Sequence, residues 1–509
     1  MLTAHPTDRP PIRALGGGFM AKASGTSVAT VSAVDSATPN LNRRNAPARG
    51  LLMAVGAGAV IWAIPHPEAV EPRGWNLLAI FVATIVGIIA RPLPMGAIAM
   101  IAIAVTLLTR TLDLAEVLAG FSNSSVWLVV SAFLLAGTFI RTGLGRRIAY
   151  RFLSVFGHRT LGLSYSLAAT DLVLAPVIPS HAARSGGVVF PVLQSLAHSL
   201  GAGRSAEART TAQYLTLATY QSTVIISGMF LTSMAANPLA AQFAGQQGIA
   251  ITWTMWALAA AVPGLVSLVI VPLIIYTWHP PAITHTPDAK LHALKELAQL
   301  GPMRRQERIL LAVFAALLIA WSLGPSLGID STAAIFIALG VLLLTGVLAW
   351  DDVAREHEAW STFIWFAALI MMATELAELG VTKWFGESVS ATVGGVGWVT
   401  GFLVLSLAYF YSHYLFASNT AHVSAMFAPF LAIALALGTP PLLAVFVLAF
   451  FSNLFAGLTH YASSAAPIFF GPGYVPLGMW WKVGGLLSIV NITIWLVVGG
   501  LWWKMLGLW

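Results

Sequence analysis

Beyond residue 50 the chain alternates membrane-length apolar runs with short polar breaks. A helix crossing the hydrocarbon core needs about 20 mostly apolar residues. Runs of that order lie near 51 to 65, 75 to 91, 95 to 109, 123 to 142, 209 to 232, 252 to 277, 309 to 327, 331 to 349, 359 to 379, 440 to 459 and 477 to 503. Two further apolar stretches, about 161 to 200 and about 393 to 437, carry polar knots in their middles. The first knot is Pro179-Ser180-His181-Ala182-Ala183-Arg184-Ser185-Gly186-Gly187, and the second is Phe416-Ala417-Ser418-Asn419-Thr420-Ala421-His422. Lipid cannot hydrogen-bond an interrupted helix, so such breaks survive only where protein buries them or where they line a wet cavity. The pattern therefore predicts an all-α polytopic membrane protein of about eleven transmembrane helices with two re-entrant hairpins.

Composition supports that class. Of 509 residues, 58% are hydrophobic and 9% charged, against roughly 25% charged in a soluble domain. The absence of cysteine excludes disulfides and thiolate metal sites. A net charge of +7 calls for no nucleic acid partner, because Lys and Arg collect at the cytoplasmic ends of membrane helices. Residues 1 to 47, rich in Ala, Thr, Ser, Pro and Gly, read as a disordered cytoplasmic tail. The tryptophan pairs Trp480-Trp481 and Trp502-Trp503 read as interfacial anchors.

Charge also sets topology. Placing Arg141, Arg146, Arg147, Arg151 and Arg159 in the cytoplasm, with the linker 278 to 308, leaves Arg73, Arg110, Lys383 and Lys504 outside and Arg184 at a hairpin tip. The first hairpin then enters from the cytoplasm and the second from outside, so the halves 48 to 277 and 309 to 509 form inverted repeats. Each hairpin is followed by a helix broken near its middle, about 209 to 246 and about 440 to 475. Paired interruptions of this kind point to a substrate site at the midplane of a secondary transporter.

The breaks carry chemistry suited to an anion. Asn237-Pro238 reads as an N-cap and first helical residue, Pro467 opens the corresponding half-helix, and Ser180 and Ser418 suit the caps of the returning hairpin arms. Four such N-termini would each offer unpaired N–H groups and about half a positive charge. Arg184 would either bind a carboxylate bidentately or hold its own hairpin together. His181, His422 and His460 are candidate hydrogen-bonding or titratable groups, whereas His413 reads as a neutral partner for freed backbone. Asp171 reads as a partner for Arg184 or a cap for backbone groups, with proton relay or cation binding as the alternative. A serine hydrolase built on Ser418 or Ser180 lacks a Gly-x-Ser-x-Gly elbow, so no enzyme is expected. An anion channel lined by helix N-termini is a rival that flux measurements separate from a carrier.

Several long motifs resemble the divalent-anion:sodium symporter family, in its branch of citrate/succinate and tartrate/succinate antiporters and plastid 2-oxoglutarate/malate translocators. They are Phe121-Ser122-Asn123, Thr142-Gly143-Leu144-Gly145-Arg146-Arg147, Ala183-Arg184-Ser185-Gly186-Gly187, Ala236-Asn237-Pro238-Leu239 and Gly457-Leu458-Thr459-His460-Tyr461. The resemblance runs from about residue 50 to the end. It implies a homodimeric elevator-type carrier in the bacterial inner membrane, with the N-terminus cytoplasmic. The candidate substrate-binding residues are Ser180, His181, Arg184, Asn237, Ser418, Asn419, Thr420, Thr459 and His460, and Arg184, His181 and His422 are candidate groups for neutralising a dianion in place of sodium. In the family, Ser-Asn-Thr at both tips binds substrate carboxylates. Here Ser418-Asn419-Thr420 matches in full, while Ser180-His181-Ala182 keeps only the serine. Sodium is thus a candidate near Ser418 and Asn419 alone. Di- or tricarboxylate exchange without a cofactor is the expected activity, and sodium- or proton-coupled symport of a carboxylate or inorganic divalent anion is the alternative.

Overall fold

The computed structural model describes residues 46–201, 205–393 and 397–509, so the predicted tail lies almost wholly outside the described residues. Within them the chain is helical and contains no β-strand beyond one isolated bridge between Arg159 and His285. Each of the eleven predicted segments contains a helix. Among the described residues, seven helices are long and apolar enough to cross a bilayer: Pro72–Ala90, Ser124–Thr142, Trp253–Trp278, Arg305–Gly324, His357–Glu378, Asn419–Ala436 and Leu477–Met505. Shorter apolar helices such as Met95–Leu108 and Ser331–Leu344 accompany them. Ala206–Met229 is long enough but carries a polar series, from Thr211 through Gln221 to Ser227, that is buried in protein.

Local sequence explains where these helices begin and end. Asp113 and Glu116 form a reciprocal capping box, and Asn123, Thr252 and Asp330 cap the helices that follow them. Gly143 closes Ser124–Thr142 in the left-handed region at φ 80°, where a Cβ would be strained. Pro272 lies inside Trp253–Trp278, and the Tyr165 hydroxyl donates to the Val269 carbonyl beside this interruption. The linker holds an amphipathic helix, Pro287–Leu300, whose Ala289 and Ala293 are buried. Arg147 clamps the end of that linker by donating to the Gly301 carbonyl and to Glu307, both at 2.8 Å.

The two hairpins share one local plan. In the first, Thr160–Leu174 runs into a non-helical turn, Ser180 caps His181–Arg184, a five-residue π segment Ser185–Val189 follows, and Phe190–Ser199 completes the arm. In the second, Trp398–Tyr411 is followed by the cap Ser418, Asn419–His422, the π segment Val423–Phe427 and Ala428–Ala436. Pro191 and Pro429 are each the second residue of the final segment. Neither has an N–H for the carbonyl four residues back, which lies inside the π segment, and the helix widens there by one residue.

The two broken helices cross between the hairpins. Ala206–Met229 ends at extended Phe230, passes through Leu231–Ser233 and resumes as Ala236–Gln246. Pro441–Leu454 passes through Phe455–Gly457 and resumes as Ala466–Phe470. Each helix satisfies the other's break. Tyr220 and Gln221 donate to the Ala456 and Gly457 carbonyls at 2.6 and 3.0 Å, while Asn453 donates to the Asn237 side chain at 2.8 Å. Leu477–Thr493 lies flat on the second break through Gly484, where a Cβ would press into the Gly457 carbonyl oxygen and sit 2.7 Å from that of Leu458. Gly484→Ala is expected to destabilise the protein by about 1–3 kcal/mol, read as a lower unfolding temperature in detergent. Unchanged stability would show that this helix can move off the break.

Candidate functional site

Both hairpin tips open on one cavity of about 480 Å³, within the usual range for a small-molecule site. Ser180, His181 and Ala182 line it from the first tip, Ser418, Asn419 and Thr420 from the second, and Met234 and Ala235 from the first broken helix. The other wall is built by Met95, Phe133 and the first turns of His357–Glu378, through His357, Glu358, Ser361, Thr362 and Trp365. A larger cavity among Ala46–Ala63, Pro72–Ala90 and Met95–Leu108 is lined almost wholly by aliphatic residues such as Leu51, Val55 and Ile101. It offers little to an anion.

The tip serines cap as their position predicts. Ser180 Oγ accepts from the Ala183 N–H at 3.0 Å, and Ser418 Oγ accepts from that of Ala421 at 3.3 Å. Two helix N-termini therefore point their first-turn N–H groups and dipoles toward the cavity. Ser180 Oγ also donates to Glu358 at 3.0 Å. His181 is 3% exposed, and neither ring nitrogen has a partner among the described residues. Such a buried pair of nitrogens normally finds a hydrogen bond, and the cavity is where His181 meets open space. Asn419 donates to the Ser452 carbonyl at 2.9 Å, which fixes its amide at the second tip.

Other predicted site residues stand behind this surface. Arg184 is fully buried, pairs with Asp171 at 2.5 Å, and donates to the Ile178 and Ser233 carbonyls and to Ser227 Oγ at 2.8–2.9 Å. Each of its three side-chain nitrogens is engaged, within the hairpin and across to the first broken helix, so it is not placed to grip a substrate. His422 holds the equivalent position in the second hairpin, four residues past the capping serine. Its Nε2 pairs with Ser412 Oγ at 2.9 Å, and Tyr409, Phe416 and Phe455 surround its ring. Of the three expected charge-compensating groups, only His181 reaches the cavity.

Asn237 departs from its expected role. Ala235 precedes the helix, and the Asn237 amide instead donates to the Ser227 and Phe230 carbonyls while its oxygen accepts from Asn453. Long-range pairing with the other broken helix takes the side chain away from capping. Thr459 is buried with no hydroxyl partner among the described residues, and the His460 ring lies tilted against Phe470 while accepting from Trp481 at 3.3 Å. Neither lines the cavity. His413 donates to the Ala462 carbonyl at 2.9 Å and stacks on Phe455, as a neutral backbone partner does.

Glu358, Ser361 and Thr362 were not legible as site residues. Their only sequence signal is the charged run Arg355-Glu356-His357-Glu358 at the mouth of an apolar helix. Burial, and then the negative charge of Glu358, raise the Glu356 carboxyl above its ordinary range, against the opposing pull of Arg141 and His357. The folded state thus holds this proton more tightly than the unfolded chain. The stability it contributes is present below the ordinary carboxylate pKa and is lost as pH rises through the raised value. Glu356→Gln should flatten that part of the pH dependence, measured as unfolding temperature at pH 4.5 and 7.5 beside the unsubstituted protein. An unaltered difference between the two pH values would refute the effect.

A polytopic helical bundle whose two interrupted hairpins face one polar cavity defines a membrane transport protein. The chain belongs to the family described as sodium:sulfate symporter transmembrane region, whose model matches residues 46–509. A Bacillus subtilis protein named putative malate transporter YflS is 52% identical over 90% of this chain and 96% of its own length. Dicarboxylate transporter 1, chloroplastic, of Spinacia oleracea is 49% identical over 92% and 83%. The Escherichia coli inner membrane protein YbhI is 36% identical over 90% and 97%. Among solved structures, the Alcanivorax borkumensis YdaH transporter covers 91% of this chain and 98% of itself, with a TM-score of 0.53 at 14% identity. That likeness concerns the fold alone. The protein is a multi-pass membrane transporter and not an enzyme.

Proposed function

We propose that the protein exchanges dicarboxylates of the malate, succinate and 2-oxoglutarate class, with citrate as a larger candidate. The observation that carries this reading is the pair of serine-capped tips facing each other across one cavity, with Asn419, Thr420 and His181 as further groups for carboxylate oxygens. The names of the relatives at about 50% identity support the same substrate class. The carrier works by an elevator motion in which hairpins and broken helices move against Pro72–Ala90, Met95–Leu108 and His357–Glu378. With positively charged loops inside, the tips would lie at the cytoplasmic ends of those helices, which supports an inward-facing arrangement. The N-terminus is cytoplasmic, and the unit in the cell membrane is a homodimer.

The donor sets of the two tips differ in a way that favours exchange. Hard cations take oxygen ligands. The second tip keeps side-chain oxygens on Ser418, Asn419 and Thr420, a set that fits sodium as a coupling ion. The first keeps only Ser180 Oγ, already shared between Ala183 and Glu358. Counterflow in proteoliposomes tests the reading: unlabelled malate, succinate or citrate inside, labelled anion outside, in sodium or choline buffer. Uptake that needs internal anion and ignores sodium is expected. Uptake into empty vesicles driven by a sodium gradient would replace exchange with symport.

A further inference from the structure

Beside the bonds that join the tips to the broken helices, two hydrogen bonds tie the tips to the helices of the opposite cavity wall, and each involves a charged side chain of that wall. Glu358, in the first turn of His357–Glu378, accepts from Ser180 Oγ at 3.0 Å. Arg91, which ends Pro72–Ala90 in the left-handed region at φ 49°, donates to the Ala417 carbonyl at 2.8 Å. Each tip is therefore held by its side of the cavity wall at the residue that caps the tip or immediately precedes that cap.

The Glu358 contact is the more informative, because Ser180 has one hydroxyl proton. Its oxygen is occupied by the Ala183 N–H, and its proton goes to the Glu358 carboxylate. Ala182 has no donor where the second tip has Thr420. Any ligand carboxylate seeking the Ser180 hydroxyl must take it from Glu358. Glu358 itself is exposed and, among the described residues, is in no ion pair, so the bond does not serve the fold as the buried Arg184 network does.

We propose that Glu358 is a tethered stand-in for a substrate carboxylate, which holds the first tip while the cavity is empty and is displaced when a dicarboxylate binds. This rests on the exchange reading above. The empty transport unit stays fastened to the wall. In the loaded unit Ser180 turns its proton to the ligand, the bond to the wall is lost, and the ligand's charge repels Glu358. Glu358 thereby couples occupancy to movement, and it selects against a third negative charge on the ligand.

The test uses full-length protein in proteoliposomes, with labelled malate, in vesicles loaded with malate or left empty. A charge-assisted hydrogen bond on an exposed group corresponds to about a five- to tenfold change. Glu358→Gln and Glu358→Ala are expected to raise uptake into empty vesicles by about that factor relative to the unsubstituted protein. The apparent KM for malate should fall, and competition by a tricarboxylate should strengthen. Glu358→Asp keeps the charge but shortens the reach, so it should leak like the alanine variant while retaining the dianion preference. Leak and KM matching the unsubstituted protein in all three variants would overturn the proposal, as would loss of counterflow in folded variants. Absence of counterflow in the unsubstituted protein would instead refute the exchange reading, and the proposal with it.

Discussion

Replacing Arg184 with alanine is expected to cost about 3–5 kcal/mol of stability, the range for breaking a buried ion pair from one side. The substitution strands the Asp171 carboxylate in a site with no exposure and removes the donors to the Ile178 and Ser233 carbonyls. Those carbonyls belong to the hairpin turn and to the first broken helix, neither of which has helical partners to fall back on. Folded yield should collapse in detergent, judged by size exclusion and thermal unfolding. Removing both charges, as Arg184→Met with Asp171→Leu, should recover part of the stability, because desolvation of the pair offsets much of its attraction. A folded, active Arg184→Ala protein would show that the pair does not support the tip.

Thr420→Val should abolish most transport with little effect on the fold. Thr420 lines the cavity beside the second capped N-terminus, and valine keeps its shape while deleting the hydroxyl. Loss of a hydrogen bond to a charged ligand costs about 1.5–3 kcal/mol, or roughly ten- to a hundredfold in apparent affinity. Asn419→Ala should cost transport and some stability together, since the Ser452 carbonyl loses its donor. Uptake titrations beside melting curves separate the two effects. Transport at the original affinity in Thr420→Val would remove the second tip from the substrate site.

The parts of this molecule that were readable in its sequence are those governed by near neighbours in the chain. Apolar runs of spanning length became helices, and Ser180 and Ser418 became caps because their partners are three residues away. Asn237 failed as a cap because a residue 216 positions distant claims its side chain. Trp480 and Trp503 were expected at the membrane interface. They are buried inside instead, with Trp503 donating to the Ala259 carbonyl, because the helix faces they occupy pack against protein. Glu358 meets Ser180 across 178 positions, a pairing that no local pattern announces. Arg184 could be read either way until its donors were counted.

The π segments at Ser185–Val189 and Val423–Phe427 have a consequence for insertions and deletions. Each residue turns an α-helix by about 100°, and the π turn already holds one extra residue, so losing one residue from the α-helical arm that follows would rotate the rest of that arm relative to its tip. Leu193 and Leu196, now buried, would swing off the core while the capping serine stayed in place. Their length sets the phase between the tip that meets the anion and the arm that carries it.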